Sequence, residues 1–271
     1  MKKILVIGDS CLDVFIKGTV NRLCPEAPVP VLNPTSKTIN QGMAGNLEAN
    51  LRTLGPDNEI VFITNTCSIT KTRYVDTASG YILLRVDEND KIKDPLTLES
   101  LYKTLLAIDM SLKDFHSIVI SDYDKGYLPI DNLESIISCI KQHTDAIIFM
   151  DTKKILGNWS KQVDIVKINS KEYQEQLKYH YHPEDYCKTL IVTLGAKGSQ
   201  IVKGDHVVHV EGKRVEVMDV SGAGDTYLAA LVTIYVNNDL IQGAMRYANF
   251  AAAVAVSKHG VVTVKNTEVE V

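Results

Sequence analysis

The chain has 271 residues, which is enough for one large α/β domain or two small ones. Apolar residues make up 45% and charged residues 23%, as in an ordinary globular protein, and the formal net charge is −4. That charge shows no sign of the overall basic character typical of nucleic-acid-binding proteins, so we expect no nucleic-acid partner. The five cysteines are odd in number and form no CxxC pair, which argues against a disulfide framework or a zinc site. We interpret them as buried small apolar residues.

The N-terminus begins with Met1-Lys2-Lys3 and continues with the apolar run Ile4–Ile7. This run is too short for a signal-peptide core or a membrane span. We therefore expect a cytoplasmic protein without a membrane partner. Because the run leads directly into Gly8-Asp9, it predicts a first core strand followed by a turn.

Short apolar runs recur along the chain and predict strands buried on both faces, as in a parallel sheet. The clearest are Ile4–Ile7, Ile118–Ile120, Ala146–Met150 and Leu190–Leu194. Segments with helical spacing lie between them. One places Leu98, Leu101, Leu105 and Ile108 on one face, and another Leu133, Ile136, Ile137 and Ile140. This alternation predicts a doubly wound α/β sheet.

Two stretches, about 13–36 and 69–88, break the alternation and contain extended, β-branched segments. We predict that they form hairpins that stand apart as a small β-flap, inserted into a single domain spanning 1–271. A further hairpin is predicted at Gln200–Val210, with its turn at Gly204-Asp205. The C-terminal third predicts two helices, Gly222–Val236 and Leu240–Lys258, with Gly260 as the C-cap of the second.

The segment Asp219–Thr226 is the motif that predicts chemistry, because a glycine-rich turn leads into an apolar helix. The first N–H groups of a helix have no internal partner and favour an anion. Gly222 and Gly224 let the backbone approach a phosphate closely. Asp225 would repel that phosphate unless it accepts a proton from an attacking hydroxyl. On the motif alone, an ordinary strand-to-helix turn with Asp225 as a first-turn acid stays open.

Proton affinities limit what Asp225 can do. A free aspartate has a pKa of about 3.9, whereas a hydroxyl is about as weak an acid as water, roughly 15.7. The carboxylate can therefore only orient the hydroxyl and accept its proton late, as the O–P bond forms. Most of the rate should come from positioning and from donors that face the phosphoryl oxygens.

Ser221–Thr226 resembles the C-terminal signature of the ribokinase-like (PfkB) carbohydrate kinases, and the resemblance extends over essentially the whole chain. Gly8–Asp13 resembles the first strand of that family, and Gln41–Asn46 its N-terminal glycine signature. The resemblance implies a ribokinase-like three-layer sandwich with a central, mostly parallel sheet and a small β-flap lid. It also implies transfer of the γ-phosphoryl group of ATP to a sugar hydroxyl, with Mg²⁺ and, as an open point, a monovalent cation such as K⁺.

The same resemblance implies roles for individual residues. The catalytic group would be Asp225 as the base with Gly222, Ala223 and Gly224 as the anion hole. The sugar would contact Asp13, Gly42 and Asn46. The nucleotide side would comprise Lys153, Asn169, Glu172, Thr193, Gly195, Gly198 and Asn249, with Glu172 acting on the metal through water. Two simpler roles stay open: a turn cap for Asp13, and a helix cap with a first-turn acid for Asn169 and Glu172.

A narrower resemblance links the chain to the D-glycero-β-D-manno-heptose 7-phosphate kinases, through Arg22–Val31, Thr70–Arg73, Ser121–Gly126 and Asp151–Lys153. It implies phosphorylation of an anomeric hydroxyl on a sugar already phosphorylated at its other end. Candidate cations for that phosphate are Lys71, Arg73, Arg85 and Lys125. The chain departs from the pattern at Gln41 and Glu48. We expect a kinase domain without the nucleotidyltransferase domain that is fused to many relatives.

Two other functions stay open at this point. One is a PfkB-family kinase for another sugar, sugar phosphate or nucleoside. The other is a non-catalytic regulator that binds a sugar or nucleotide, which the intact Gly222–Asp225 motif disfavours. No Walker A pattern or protein-kinase motif set is present, and the His180/His182 pair lacks a third metal ligand. Open strand edges in the flap favour a homodimer through the lid.

Overall fold

A computed structural model describes residues 1–66, 69–204, 206–238 and 240–270. Cys67, one of the five cysteines, and Asp205, in the predicted turn of the Gln200–Val210 hairpin, lie outside these ranges. The strands are β1 Lys3–Gly8, β2 Ser10–Leu23, β3 Pro30–Met43, β4 Glu59–Thr64, β5 Ile69–Asp76, β6 Ile82–Glu88, β7 Ser117–Asp122, β8 Ile147–Thr152, β9 Ile165–Asn169, β10 Thr189–Thr193, β11 Ser199–Lys203 and β12 His206–Val210. The helices are α1 Ala44–Leu54, α2 Leu98–Leu106, α3 Ile130–His143, α4 Ser170–Gln176, α5 Ala223–Asn238 and α6 Ile241–Val256.

The main sheet has the strand order β12-β11-β10-β9-β8-β7-β1-β4. All neighbouring strands from β10 to β4 run parallel, and only β11 and β12 add antiparallel pairs. The four apolar runs identified in the sequence lie in β1, β7, β8 and β10 and are almost entirely buried, as predicted. The Gln200–Val210 hairpin also forms, but it extends the main sheet.

Helices cover both faces of this sheet, which confirms the α/β sandwich. Alternate residues of β1 enter different cores: Leu5 and Ile7 pack with α2 and α3, and Ile4 and Val6 with α1, α5 and α6. One predicted core residue is wrong. Ile108 is 47% exposed, because α2 ends at Leu106 and the chain has left the helical face before reaching it.

Four strands form a second sheet in the order β3-β2-β5-β6. β2 pairs in parallel with β5 and antiparallel with β3, and β6 pairs antiparallel with β5. These strands are longer than the predicted flap segments, since β2 begins at Ser10 and β3 continues to Met43, directly before α1. The edge strands β3 and β6 are mostly exposed. A homodimer through these edges stays a prediction.

Two further predictions are corrected by the structure. Helix α6 ends with Ser257 as its C-cap, so Gly260 lies beyond the helix. Gly260 has a φ of 78° and its N–H donates to Asp219 Oδ2 at 3.1 Å, which ties the C-terminal loop to the glycine-rich turn. Cys24 is only half-buried, and its thiol donates a hydrogen bond to the Glu26 carboxylate, whereas the other three described cysteines are buried. Within the described ranges, no helix is long and apolar enough to cross a membrane.

Candidate active site

The glycine-rich turn before α5 is held open by backbone and side-chain contacts. Gly222 takes a φ of 78°, which favours glycine, and a Cβ there would lie 2.6 Å from Asn46 Nδ2. Asp219 accepts hydrogen bonds from the N–H of Ser221 at 2.8 Å and from that of Gly260 at 3.1 Å. These contacts within the protein therefore define the backbone conformation of the turn.

Three backbone N–H groups at this turn, those of Gly222, Gly224 and Asp225, donate to no acceptor among the residues that the structure describes. The N–H of Ala223 makes only a long bond of 3.3 Å to the carbonyl of Val220. Because α5 is 16 residues long, its dipole adds positive potential at this end. The arrangement can bind an anion such as a phosphate.

Asp225 lies in the first turn of α5 and is buried, with only 3% of its surface exposed. Its Oδ1 accepts from the Tyr123 hydroxyl at 2.5 Å, and its Oδ2 accepts from Asn46 Nδ2 at 3.0 Å. Asn46 is itself fixed by Asn50, whose Nδ2 donates to the Asn46 side-chain oxygen at 3.0 Å. Both carboxylate oxygens are thus oriented by donors from other elements.

Burial, together with the charge of Asp151, raises the pKa of Asp225 to a net value of about 6. The hydrogen bonds from Asn46 and Tyr123 and the charge of Lys167 lower the pKa and keep it from rising higher. A carboxyl with a pKa of about 6 is mostly ionised at pH 7 and a better proton acceptor than a free aspartate.

The raised pKa predicts a cost in stability that a neutral side chain would remove. The folded state binds the Asp225 proton more tightly than the unfolded chain, so the cost develops as pH rises from 3.8 and is complete above about 6. We expect Asp225→Asn to increase the free energy of unfolding by about 2 kcal/mol at pH 8 and much less at pH 4.5. Urea unfolding at the two pH values measures this, and an equal effect at both would contradict it.

The candidate sugar residues lie on two strands of the second sheet and at the start of α1. Asp13 on β2 is buried and forms an ion pair with Arg73 on β5, which stacks on Phe15 with 5.1 Å between the guanidinium carbon and the ring centre. A Cβ on Gly42 would lie 2.1 Å from Asp13 Oδ2, so only glycine lets β3 pass this carboxylate. Asn46 follows at the start of α1 and connects this pocket to Asp225.

The four candidate cations for a substrate phosphate differ in their surroundings. Arg73 is paired with Asp13, Lys125 with Asp90 and Arg85 with Asp87. Lys71 is half-buried and, within the described ranges, forms no ion pair; its Nζ lies 3.3 Å from Met43 Sδ. It aligns with Asp13 in the β2–β5 register.

The candidate nucleotide residues divide into two groups. Thr193, Gly195, Gly198 and Asn249 line one cavity of about 220 Å³, together with Ala223 and Gly224. Asn249 also donates to the carbonyls of Val210 and Glu211, at 3.0 and 3.2 Å, and so holds one wall of that cavity.

The second group is a helix cap. Asn169 caps α4, accepting the N–H groups of Lys171 and Glu172 at 2.9 Å, and Glu172 accepts the N–H of Asn169 at 2.8 Å. The other oxygen of Glu172 pairs with Lys153. The capping arrangement considered from the sequence is therefore present, and a role with the metal stays a prediction.

Comparison with known proteins shows the family. A profile of the pfkB family carbohydrate kinases matches residues 64–268. The chain belongs to the pfkB family of carbohydrate kinases. It is 31% identical to the bifunctional protein HldE of Helicobacter pylori strain J99 over 96% of its length, and 29% identical to HldE of Nitratiruptor over 99%. The chain covers 64% of the length of these curated relatives.

Solved structures share the fold of this chain. Ribokinase from Thermotoga maritima superposes with a TM-score of 0.72 at 16% identity, covering 99% of this chain and 98% of the other. Phosphofructokinase-2 from Escherichia coli gives a TM-score of 0.73 at 16% identity, with coverages of 99% and 97%. The predicted ribokinase-like sandwich is confirmed.

Three residues that the structure brings to the candidate site were not predicted as site residues. Lys167 and Asp151 form a buried ion pair beneath the turn, and a Cβ on Gly224 would lie 3.0 Å from Lys167 Nζ. The charged residue inside the apolar segment Ile165–Ile168 is the signal that could have indicated such a pair. Tyr123, the third, gave no comparable signal, because nothing in its segment indicates contact with Asp225.

Proposed function

We propose that the chain is an ATP-dependent sugar kinase in which Asp225 accepts the proton of the attacking sugar hydroxyl. The observation that supports this best is the buried, oriented carboxylate of Asp225 directly beside N–H groups that have no acceptor among the described residues. Phosphoryl transfer needs these two parts together: an acceptor for the hydroxyl proton and fixed donors for the phosphoryl oxygens.

In the proposed reaction, the sugar hydroxyl donates a hydrogen bond to Asp225 while its oxygen attacks the γ-phosphorus of ATP. The bond from that phosphorus to the bridging oxygen breaks, and ADP leaves with the electron pair. The proton ends on Asp225 and returns to water when the product leaves. The Gly222–Asp225 N–H groups stabilise the charge of the transferred group, and Ala223 contributes the backbone between them.

The residues present fit a magnesium–nucleotide complex. Asp151 Oδ1 is a buried carboxylate oxygen with no hydrogen-bond partner among the described residues, which suits a hard cation or its water. Glu172 pairs with Lys153, which follows Asp151 by two residues, and we propose that Glu172 acts on the metal through water, as the family resemblance implies. When bound, Mg²⁺ would neutralise charge on the phosphate oxygens. A monovalent cation stays part of the proposal, since the Escherichia coli phosphofructokinase-2 structure contains potassium.

We place the nucleotide in the cavity lined by Thr193, Gly195, Gly198 and Asn249, which opens toward the glycine-rich turn at Gly224. A Cβ on Gly198 would lie 2.2 Å from the carbonyl of Val210, so glycine permits the close approach that shapes this wall. The sugar would lie against Asp13, Gly42 and Asn46, under the second sheet acting as a lid. Closure of that lid would exclude water from the transfer.

The substrate we propose is D-glycero-D-manno-heptose 7-phosphate, phosphorylated at its anomeric hydroxyl. Two observations support it: the resemblance to heptose 7-phosphate kinases, and the relatives named HldE at about 30% identity over nearly the whole chain. Lys71 is the candidate cation best placed for the substrate phosphate, because it lies beside Asp13 and lacks an ion pair within the described ranges. The rival is a related kinase for a neutral sugar.

The decisive experiment measures ADP release from Mg-ATP with a panel of neutral sugars and sugar phosphates, including the heptose 7-phosphate. We expect strong turnover with the heptose 7-phosphate alone. Turnover with another sugar would retain the kinase and remove the heptose assignment, whereas no turnover with any acceptor would favour a binding protein.

Lys71→Met tests the phosphate site. We expect KM for the phosphorylated sugar to rise by about tenfold or more, because one charge-assisted contact to the phosphate is lost. The matched control is Lys37→Met, since Lys37 aligns with Ile16, three residues from Asp13 on β2, and so faces the opposite side of the lid sheet. Equal KM values in both variants would contradict the assignment.

A further inference from the structure

We propose that Tyr123 is a positioning residue that keeps Asp225 oriented and ionised, so that the carboxylate can accept the proton of the sugar hydroxyl. The proposal rests on the proposed function of Asp225 and adds a residue from a different segment of the chain. It begins with geometry: the Tyr123 hydroxyl lies 2.5 Å from Asp225 Oδ1, across 102 positions of sequence.

The two donors on Asp225 leave it free to accept a third. Tyr123 occupies one lone pair of Oδ1 and Asn46 one lone pair of Oδ2. A carboxylate offers about four acceptor positions, so a sugar hydroxyl can still bond to it. The phenol therefore fixes the plane of the carboxylate without blocking its use.

The backbone that carries Tyr123 is held by hydrogen bonds to two aspartate side chains, Asp9 and Asp122. The buried carboxylate of Asp9 accepts the N–H groups of Tyr123 at 2.7 Å, Tyr127 at 3.3 Å and Lys125 at 3.4 Å. The following residue, Asp124, donates its N–H to Asp122 Oδ1 at 3.0 Å. These hydrogen bonds hold the backbone of the loop after β7 in the conformation that brings Tyr123 to Asp225.

Charges from several elements face Asp225, and the phenol acts among them. Asp151 on β8 is the anion, and Lys167 on β9 and Lys153 after β8 are the cations. The Cys11 thiol on β2 also faces Asp225 but stays neutral, because burial raises its pKa to about 12. Burial, followed by the charges of Asp225 and Asp151, raises the pKa of Tyr123 well above its usual value, so the hydroxyl remains a donor at every working pH.

Two lysines lie near the Tyr123 ring, one from the proposed sugar side of the site and one from the proposed nucleotide side. Lys71 Nζ lies 6.0 Å and Lys153 Nζ 5.3 Å from the ring centre. These distances allow cation–π attraction. The ring thus lies beside Lys71, the proposed sugar-phosphate cation, and Lys153, the lysine paired with Glu172.

Tyr123→Phe tests the proposal by removing one oxygen. Aspartate-specific ¹³C NMR titration, with the Asp225 resonance assigned from Asp225→Asn, measures the pKa of Asp225 without substrate. We expect this pKa to rise by about 1 unit or more, because a hydrogen bond to the charged form is lost. The control is Tyr127→Phe, a buried tyrosine of the same loop, for which we expect no change.

Kinetics give a second readout. The acid limb of kcat/KM should move from about pH 6 to about pH 7 in Tyr123→Phe, so activity falls about fivefold at pH 6 and recovers to within about twofold at pH 9. A merely structural role would lower activity equally at all pH values. If Tyr123→Phe fails to fold, site-specific 3,5-difluorotyrosine at position 123 replaces it; this stronger donor should lower the Asp225 pKa.

The outcomes separate this proposal from the proposed function. An unchanged Asp225 pKa in Tyr123→Phe, or an equal shift in Tyr127→Phe, overturns the role of Tyr123 even if the chain is an active kinase. Absence of turnover with every acceptor would instead overturn the kinase assignment, while the NMR titration would still decide whether Tyr123 controls the carboxylate.

Discussion

Asp225→Asn should lower kcat by about 10³-fold or more while leaving ATP affinity nearly unchanged. The asparagine keeps the size of the side chain; its carbonyl oxygen can still accept from Asn46 while its NH2 donates to the Tyr123 oxygen, but it cannot accept the proton of the sugar hydroxyl. General-base catalysis contributes roughly 10²–10⁴-fold, and misplacement of the hydroxyl adds to the loss. Single-turnover ADP release and calorimetric titration with ATP measure the two quantities.

The matched control is Asp131→Asn, because Asp131 is an exposed acid in the first turn of α3, away from the candidate site. It should keep kcat within about twofold, as exposed first-turn acids contribute only through the helix dipole. Retention of more than a tenth of the activity in Asp225→Asn would show that the proton goes elsewhere.

Arg73→Met should destabilise the protein by about 3 kcal/mol and raise KM for the sugar. The guanidinium and Asp13 are both buried, so removal of the guanidinium leaves the Asp13 carboxylate without its ion-pair partner. Breaking a buried pair from one side costs about 3–5 kcal/mol, and methionine recovers part of this by packing on Phe15. Urea unfolding and steady-state kinetics measure the effects.

A double variant tests whether the loss comes from the unpaired charge. Asp13→Asn combined with Arg73→Met should be more stable than Arg73→Met alone, since no buried charge remains. Arg85→Met serves as the control. Arg85 pairs with Asp87 on the exposed strand β6, and such surface pairs contribute about 0–1 kcal/mol. A loss in Arg85→Met equal to that in Arg73→Met would contradict the importance of burial.

The sequence determined the elements and the family. Apolar runs such as Ile4–Ile7 predict buried strands from local sequence alone, because a strand buried on both faces needs an unbroken run of such residues. The same holds for the glycine-rich turn before α5, where Gly222 takes the positive φ that the turn requires. Ends of elements were less secure: Ile108 and Gly260 were misplaced because helix periodicity does not show where tertiary packing stops the helix.

Only the tertiary structure decided which charges and donors meet. The contacts of Asp13 with Arg73, Lys167 with Asp151 and Tyr123 with Asp225 depend on the order of strands in two sheets. Local patterns carry no record of that order, because periodicity and turn signals extend over a few residues, whereas these partners are 60, 16 and 102 positions apart. Sequence therefore predicted Asp225 as a candidate catalytic aspartate at a helix start, and the fold determined its burial, its donors and hence its proton affinity.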